Sequence, residues 1–298
     1  MRHTYDAVIG ERAKEILSRD ARLTVVAVHS ESVYARCADG RLFLLCPDKY
    51  GRVPFGVSLP EYALFRERHT FEVGDVITAS DGALVTCGGE VLFFTEKSTA
   101  PRTDRTGKLP DTALVGICAD YVRENASARG MGPTLPAFLC IGTPADTANA
   151  YALSAVGEAD RFESAFLCGD AEALDHAVGR FVGLGYGLTP SGDDFLCGML
   201  YAFHRYSRVS DRSRNYLRSL SGRVEDHIRA TNEVSAEYIR CALDGEYFEV
   251  VERVLDCLSN EENNIRTLEA ALSGLLSVGA SSGSDILCGI LFAVYLLW

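Results

Sequence analysis

The spacing of apolar positions changes along the chain. A segment from Tyr5 to Leu17 has the period of a short amphipathic helix, and residues 22–96 then carry short β-branched and aromatic runs. These runs are RLTVVAVH, SVYARCA, RLFLLCP, DVITAS, ALVTCGG and EVLFFTE. Asp39-Gly40, Asp81-Gly82 and Gly88-Gly89 lie between them and suit tight hairpin turns, whereas parallel neighbours need long crossovers. The pattern predicts an antiparallel β barrel or sandwich over residues 1–100, with a short N-terminal helix.

Beyond a polar segment with two prolines, Lys97 to Asp111, which we interpret as a linker, apolar positions recur every three or four residues. The pattern predicts helices over Thr112–Ser127, Asp170–Phe181, Asp194–Ser207, Asp211–Arg229, Ser235–Leu243, Tyr247–Leu258 and Ile265–Leu276. An all-helical domain is therefore expected over residues 111–298, which makes the fold class α+β. The apolar run from Ile286 to Trp298 is shorter than the roughly 20 residues of a membrane span, so we expect a buried core helix and no membrane association.

Composition narrows the class of protein. A net charge of −12 without a basic run argues against nucleic acid as a partner. The ten cysteines are scattered singly, which favours reduced, mostly buried side chains over disulfides. The first residues lack the continuous apolar segment of a signal peptide. We therefore expect a cytoplasmic protein that binds a small molecule.

Two glycine-rich segments of the predicted helical region have similar sequences, and we call them echoed segments. The first, GLGYGLTPSGDDFLCG, covers residues 183–198, and the second, GASSGSDILCG, covers residues 279–289. Ser191, Gly192, Asp194, Leu196, Cys197 and Gly198 recur as Ser282, Gly283, Asp285, Leu287, Cys288 and Gly289 at a constant offset of 283 − 192 = 91. One interpretation is that the serines and aspartates only cap two helices.

Small residues follow both predicted helix starts. Gly198 and Ala202 are four residues apart, as are Gly289 and Ala293. Such stripes allow close approach of helix backbones, so the two helices are expected to pack together with both glycine-rich segments facing one cleft. Capping alone does not explain four glycines within ten positions, which favours a turn that contacts a ligand.

The residue types in these segments restrict which classes of ligand they can bind. The segments lack the Lys-Ser/Thr ending of a P-loop and the βαβ context of a dinucleotide site. Adjacent Asp193 and Asp194 repel an anion by about 4 kcal/mol per charge pair at 4 Å and an effective dielectric near 20. Aspartates instead suit the NH₂ group of an amide or ureido ligand, while loop amides polarise its carbonyl. Metal-ligand spacing is absent, a nucleophilic Ser191 has no assignable base, and the cofactor is left unspecified.

A third segment, RATNEVSAEYI, covers residues 229–239. Asn232 and Ser235 share a helical face if the helix has begun, and Arg229 is a cation for a carboxylate or phosphate. The alternative is that Thr231 or Asn232 caps the next helix.

In this order the three segments resemble the bacterial domain family that includes the AllH-type subunit of oxamate carbamoyltransferase. The resemblance implies a role in allantoin and purine breakdown, in which three different subunits split oxalurate with phosphate into oxamate and carbamoyl phosphate. Partner subunits are implied as well. This chain departs from the family at Tyr186, where a small residue or proline is frequent, and at Ala280, where a histidine is common.

The site residues are predicted from the chemistry of the side chains in the three segments. We predict Asp194 and Asp285 as catalytic. The predicted substrate-binding residues are Gly187, Thr189, Ser191, Gly192, Asp193, Arg229, Asn232, Ser235, Ser282 and Gly283. Two other classes remain open at this point: a non-catalytic binding or scaffolding subunit whose glycines let helices pack, and a Mg²⁺-dependent enzyme that uses the paired carboxylates on a small ureido or carboxylate substrate.

Overall fold

A computed structural model describes residues 1–97, 108–260 and 265–298. Most of the predicted linker from Lys97 to Asp111 lies outside these residues. The chain forms two compact units, one of Met1–Thr103 with Tyr247–Val250 and one of Asp104–Glu246 with Val251–Trp298.

The first unit contains a closed eight-stranded barrel in the described residues, with strand order β1-β5-β4-β3-β2-β6-β7-β8. The strands are β1 Arg2–Ile9, β2 Ala21–His29, β3 Ser32–Cys37, β4 Leu42–Pro47, β5 Gly56–Leu59, β6 Val76–Ser80, β7 Ala83–Val85 and β8 Val91–Glu96. Two helices, α1 Glu11–Leu17 and α2 Tyr62–Arg68, lie between strands in sequence. The α+β class and the N-terminal barrel are thus confirmed.

Two sequence expectations for the barrel are wrong. Tyr5–Ile9 is part of strand β1 and not of the N-terminal helix, which begins at Glu11. The barrel is mainly antiparallel, as predicted, but the expectation that no neighbouring strands are parallel is wrong, because β1 pairs with β8 and β4 pairs with β5 in parallel. Strand β1 supplies the closure: it pairs with β8 on one side and with β5 on the other, so its backbone groups are satisfied only in the complete barrel.

The barrel interior explains why these short strands are rich in apolar residues. Inward side chains alternate with outward ones along each strand, and those from neighbouring strands pack into one core. The core includes Leu23, Val25, Phe43, Leu45, Val57, Ile77, Leu84 and Leu92.

The helical region follows in the chain. Its helices are α3 Thr112–Asn125, α4 Leu135–Phe138, α5 Ala150–Cys168, α6 Ala171–Phe181, α7 Ser191–Tyr206, α8 Asp211–His227, α9 Glu233–Leu243, α10 Glu249–Ser259, α11 Ile265–Leu276 and α12 Ser282–Tyr295. The sequence analysis missed α5. Its buried face consists largely of alanines, and Leu153 and Leu167 are exposed, so the apolar period is weak.

The two helices with echoed sequences form the centre of the second unit. Every residue of α7 from Ser191 to Phe203 is buried, as is every residue of α12 from Gly283 to Val294. Phe195 of α7 contacts the rings of Phe138, Phe181 and Phe292 at centroid distances of 5.4, 4.9 and 5.6 Å. The final apolar run is therefore core helix, as expected.

The cysteines behave as predicted from their scatter. All ten are free and seven are buried, among them Cys197 and Cys288 at echoed positions. None of the helices in the described residues combines the length and hydropathy needed to cross a bilayer.

Candidate functional site

Helices α7 and α12 cross at their echoed glycines. A Cβ atom added to Gly198 would overlap the carbonyl of Ile286 and lie 3.0 Å from the amide of Ile290. A Cβ added to Gly289 would overlap the carbonyl of Phe195 and lie 3.1 Å from the amide of Met199. These contacts are the same under the 91-residue offset. The predicted direct packing is confirmed, and it is a pseudo-twofold crossing in which each glycine lies against the other helix backbone.

The crossing brings the acidic side chains of the two helix starts together. Asp194 is 5% exposed and Asp285 is 0% exposed. The charge of Asp285 acts on Asp194, and the hydroxyl of Ser282 from the second glycine-rich segment bonds to Asp194. In return, the hydroxyl of Ser191 lies beside Asp285. Each carboxyl thus faces the serine that begins the other helix, and we call Asp194 and Asp285 the carboxyl pair.

Asp285 is covered by a loop that the sequence analysis did not assign. Its Oδ1 atom accepts a hydrogen bond from the Met131 amide at 2.5 Å, and Gly130 packs directly against the carboxyl group. Its Oδ2 atom is buried and makes no hydrogen bond of normal geometry. An unpaired buried carboxyl oxygen costs free energy, and a ligand that donates to it removes that cost.

The environment favours a proton on the carboxyl pair. Burial, followed by the nearby charge of Asp285, raises the pKa of Asp194 well above its ordinary value. Burial raises the pKa of Asp285 to about 6, against the opposing effects of the Met131 amide and the hydroxyls of Ser191 and Ser281. Burial therefore favours the protonated form of both carboxyls, and an ionised Asp285 further favours the proton on Asp194.

Hydroxyl groups line the approach to the pair. Thr189 Oγ1 donates to Asp194 Oδ2 at 3.0 Å and lies 2.9 Å from Ser282 Oγ. On the other side, Ser191 Oγ donates to the Tyr151 hydroxyl at 3.4 Å. The Tyr151 ring meets the edge of Tyr186, which is 87% exposed. Thr189, Ser191 and Ser282 are thus brought together, as the sequence analysis expected, and Tyr151 joins them.

The capping interpretation is wrong for both helices. The residues before them, Pro190 and Ser281, make no side-chain cap. The first amides of α7 are instead used within the chain: Gly192 donates to the Leu184 carbonyl, and Asp193 and Asp194 donate to the Pro190 carbonyl. These three amides at the start of α7 are therefore engaged within the protein.

Asp193 has a different environment from Asp194. It accepts hydrogen bonds from the Gly183 amide at 2.8 Å and from the hydroxyls of Thr231 and Ser235. These contacts join the first glycine-rich segment to the start of α9. With three donors from the protein, each oxygen of Asp193 has a partner, and the adjacent carboxylates do not face one common ligand.

Replacing Asp193 with alanine is expected to lower the free energy of unfolding by about 2–4 kcal/mol, because three donors lose their acceptor. Urea denaturation measures the loss. Asp120→Ala, which removes an exposed carboxylate paired with Arg123 at 2.7 Å, is the control and should cost about 0.5 kcal/mol or less. Equal losses in the two variants would show that Asp193 does not tie the segments together.

The remaining residues of the third segment have local roles. Asn232 caps α9 by accepting from the amides of Val234 and Ser235 at 3.1 and 3.0 Å. Ser235 bonds to Asp193, and Arg229 is exposed in the short 3₁₀ turn Ile228–Ala230. This segment therefore adjoins Asp193, and the bonds of Asn232 and Ser235 are to the protein.

Backbone geometry accounts for the glycine cluster. Gly185 and Gly187 have φ angles of +111° and +108°, which other residues rarely adopt. Gly192 and its echo Gly283 pack against the carbonyls of Phe181 and Leu275, where a Cβ would overlap. The glycines are needed to fold the segments, so a ligand is not required to explain them.

A metal centre is not favoured by the arrangement of side chains. Within the ranges that the structure covers, no group of three or more His, Cys, Asp or Glu residues is placed to hold a metal ion. Asp193 is turned away from Asp194 by its own hydrogen bonds, so the adjacent aspartates do not form a chelating pair.

One family model matches the region of the chain that contains the carboxyl pair. The model for the family described as "Oxamate carbamoyltransferase subunit AllH" matches residues 181–294, which is the region from the first glycine-rich segment to the end of α12. No solved structure matches the chain significantly. The resemblance is therefore confirmed over residues 181–294, and this part of the chain, with the carboxyl pair at its centre, matches the AllH family of oxamate carbamoyltransferase subunits.

Proposed function

We propose that this chain is the subunit of an oxamate carbamoyltransferase complex that holds the ureido group of oxalurate at the carboxyl pair during its cleavage by phosphate. The observation that carries the proposal is the buried carboxyl pair itself, with the Oδ2 atom of Asp285 buried and without a hydrogen-bond partner. The family match supports the assignment to such a complex, and a family of subunits implies partner subunits.

A carboxyl pair that carries a proton on Asp194 and a charge on Asp285 complements a ureido group. Such a group has a carbonyl oxygen, which accepts hydrogen bonds, and an NH₂ group, which donates them. A protonated Asp194 donates to the oxygen, and an ionised Asp285 accepts from the NH₂ through Oδ2. In this proposal the acid form of Asp194 takes the carbonyl-polarising role.

In the reaction, one of these two carboxyls accepts a proton and the other donates one. A phosphate oxygen attacks the ureido carbon, and Asp285 accepts the phosphate proton. The bond from that carbon to the inner nitrogen then breaks, and Asp194 gives its proton to the nitrogen that leaves as the amide of oxamate. Proton transfer between the carboxyls restores the starting state, and carbamoyl phosphate is the second product.

In this proposal fewer residues contact the substrate than were predicted from the sequence. Thr189, Ser191 and Ser282 orient the carboxyl pair and the ligand through their hydroxyls. Asp193, Asn232 and Ser235 keep the segments in place. Gly187, Gly192 and Gly283 act through backbone shape.

The test is phosphate-dependent oxalurate cleavage by the purified chain, with and without its co-expressed partner subunits, with carbamoyl phosphate as the measured product. Asp194→Asn should reduce the rate by about 10²-fold or more, because the amide cannot give up a proton. Asp211→Asn, which changes a carboxylate that is 87% exposed, is the matched control and should retain the wild-type rate. Folded protein that is inactive in both forms of the assay would contradict the proposal.

A non-catalytic binding subunit is the second candidate, and the structural explanation of the glycines favours it. The two candidates differ in one result. A binding subunit would be stabilised by ligand, by about 2.7 kcal/mol at 100 times its dissociation constant, and would leave the rate of the complex unchanged in Asp194→Asn.

A further inference from the structure

We propose that Arg129 is the cation that holds an oxyanion, either the carboxylate of the substrate or inorganic phosphate, beside the carboxyl pair. The inference rests on the proposed function and names a specificity residue for it. Arg129 was not among the residues nominated from the sequence, which assigned the anion to Arg229 instead.

The site requires a cation because both reactants are anionic. At neutral pH Asp285 is ionised, since its pKa is about 6. An oxyanion that reacts at the pair meets this charge within a few ångströms and with little water between them. The repulsion is about 4 kcal/mol at 4 Å and an effective dielectric near 20, which a guanidinium at similar distance offsets.

The backbone places Arg129 at the rim of the site. The next residue, Gly130, packs on Asp285 so closely that a Cβ there would overlap Oδ1 and lie 2.8 Å from Ser281 Cβ. The residue after it, Met131, donates its amide to the same carboxyl oxygen. Arg129 is therefore adjacent in sequence to Gly130, which packs against Asp285 and Ser281.

The loop that carries Arg129 is fixed on both sides. The Asn149 side-chain amide donates to the carbonyls of Ala128 and Gly130 at 3.1 and 3.0 Å. The Arg129 amide donates to Ser127 Oγ at 3.2 Å. Asn149 is itself held as the cap of α5, since its Oδ1 accepts from the Ala152 amide at 2.9 Å. A preorganised backbone lowers the cost of ordering a binding residue when a ligand arrives.

The Arg129 guanidinium is available for a ligand. The side chain is exposed, and within residues 1–97, 108–260 and 265–298 it makes no ion pair. Two other exposed arginines of the helical region are engaged: Arg123 pairs with Asp120 at 2.7 Å and Arg161 with Glu158 at 3.4 Å. A free guanidinium presents paired N–H donors that match carboxylate or phosphate oxygens.

Arg229 is less well placed for this role. It lies in the 3₁₀ turn just before Thr231, whose hydroxyl donates to Asp193. Asp193 already has three donors from the protein, so this part of the first glycine-rich segment offers no unpaired carboxyl oxygen. The unpaired oxygen belongs to Asp285, next to the loop of Arg129.

Steady-state kinetics of the complex with its co-expressed partner subunits test the inference. In Arg129→Gln, KM for oxalurate or for phosphate should rise about tenfold or more, with a smaller change in kcat. The reactant whose KM rises identifies the anion that is bound. Arg129→Lys should restore part of the loss, and Arg123→Gln, an exposed arginine of α3, is the control that should keep both KM values.

A second readout does not depend on turnover. Inorganic phosphate or oxamate should raise the melting temperature of the wild-type chain, and Arg129→Gln should lose this rise. The inference is overturned if Arg129→Gln matches the wild type in KM and in melting shift, or if Arg229→Gln shows the loss instead. If the wild-type complex does not cleave oxalurate but the melting shift still requires Arg129, the proposed function fails and the anion site stands.

Discussion

Alanine at Gly198 or Gly289 is expected to lower the free energy of unfolding by about 3 kcal/mol or more. In each case the new methyl group would overlap a backbone carbonyl of the other helix, Ile286 or Phe195, and no side-chain rotation relieves the clash. The two helices must then move apart along their whole buried contact. Urea denaturation of both variants measures the loss, and the echoed geometry predicts similar values for the two.

The control for these variants is Gly222→Ala in α8. A Cβ at Gly222 meets no atom within 4 Å, so the substitution should stabilise the helix by up to about 1 kcal/mol. The double variant Gly198→Ala/Gly289→Ala should lose less than the sum of the single variants, because the first clash already separates the helices. Losses no larger than about 0.5 kcal/mol in the single variants would contradict the close crossing.

Asp285→Asn is expected to stabilise the chain at pH 8 and to abolish its activity in the complex. The pKa of Asp285 is about 6 in the folded state, against an ordinary value of 3.8, so the folded state holds this proton more tightly than the unfolded state does. Wild-type stability therefore falls as pH rises between these values, and the loss is complete above about pH 6. A difference of about two pKa units corresponds to about 3 kcal/mol.

The asparagine keeps the carbonyl that accepts from the Met131 amide. Because it carries no charge, the variant does not lose stability through ionisation of a buried carboxyl group. Its advantage should be about 2–3 kcal/mol at pH 8 and should vanish below about pH 4. Chemical denaturation at several pH values measures it, with Asp211→Asn as the exposed control. A variant less stable than the wild type at pH 8 would show that the buried charge of Asp285 is compensated inside the protein, and oxalurate cleavage at the wild-type rate would remove its catalytic role.

Much of the site was accessible from the sequence because it depends on an internal repeat. The 91-residue offset places Gly198 with Gly289, Ser191 with Ser282 and Asp194 with Asp285. A repeat of both small and acidic residues indicates two equivalent helix starts, and small residues at matching positions indicate where the helices touch. The meeting of Asp194 with Asp285 follows from those two facts.

The residues that were missed act through their backbone or from outside the repeat. Met131 contributes an amide, which every residue type except proline has, so its identity gives no signal. Tyr151 lies in the first turn of α5, a helix that was not predicted because its buried face is mostly alanine. Gly130 and Gly132 in the loop were a signal that the sequence analysis left unused.

Similar physics explains the errors in the barrel. Tyr5–Ile9 alternates inward and outward as a strand but joins directly to a helix at Glu11, so the two periods merge in the sequence. Parallel pairing of β4 with β5 is achieved by a short connection that contains the 3₁₀ turn Asp48–Tyr50. A barrel that closes through such a turn does not need the long crossover on which the antiparallel expectation relied.

Carboxyl-carbon NMR of the chain with labelled aspartate tests the carboxyl pair most directly, with the Asp194 and Asp285 signals assigned from their asparagine variants. We expect that the Asp285 signal titrates near pH 6, that the Asp194 signal titrates well above the ordinary range of an aspartate, and that oxamate shifts both signals while leaving the Asp193 signal in place. Titration of both signals below pH 5, or no response of either signal to oxamate, would contradict it.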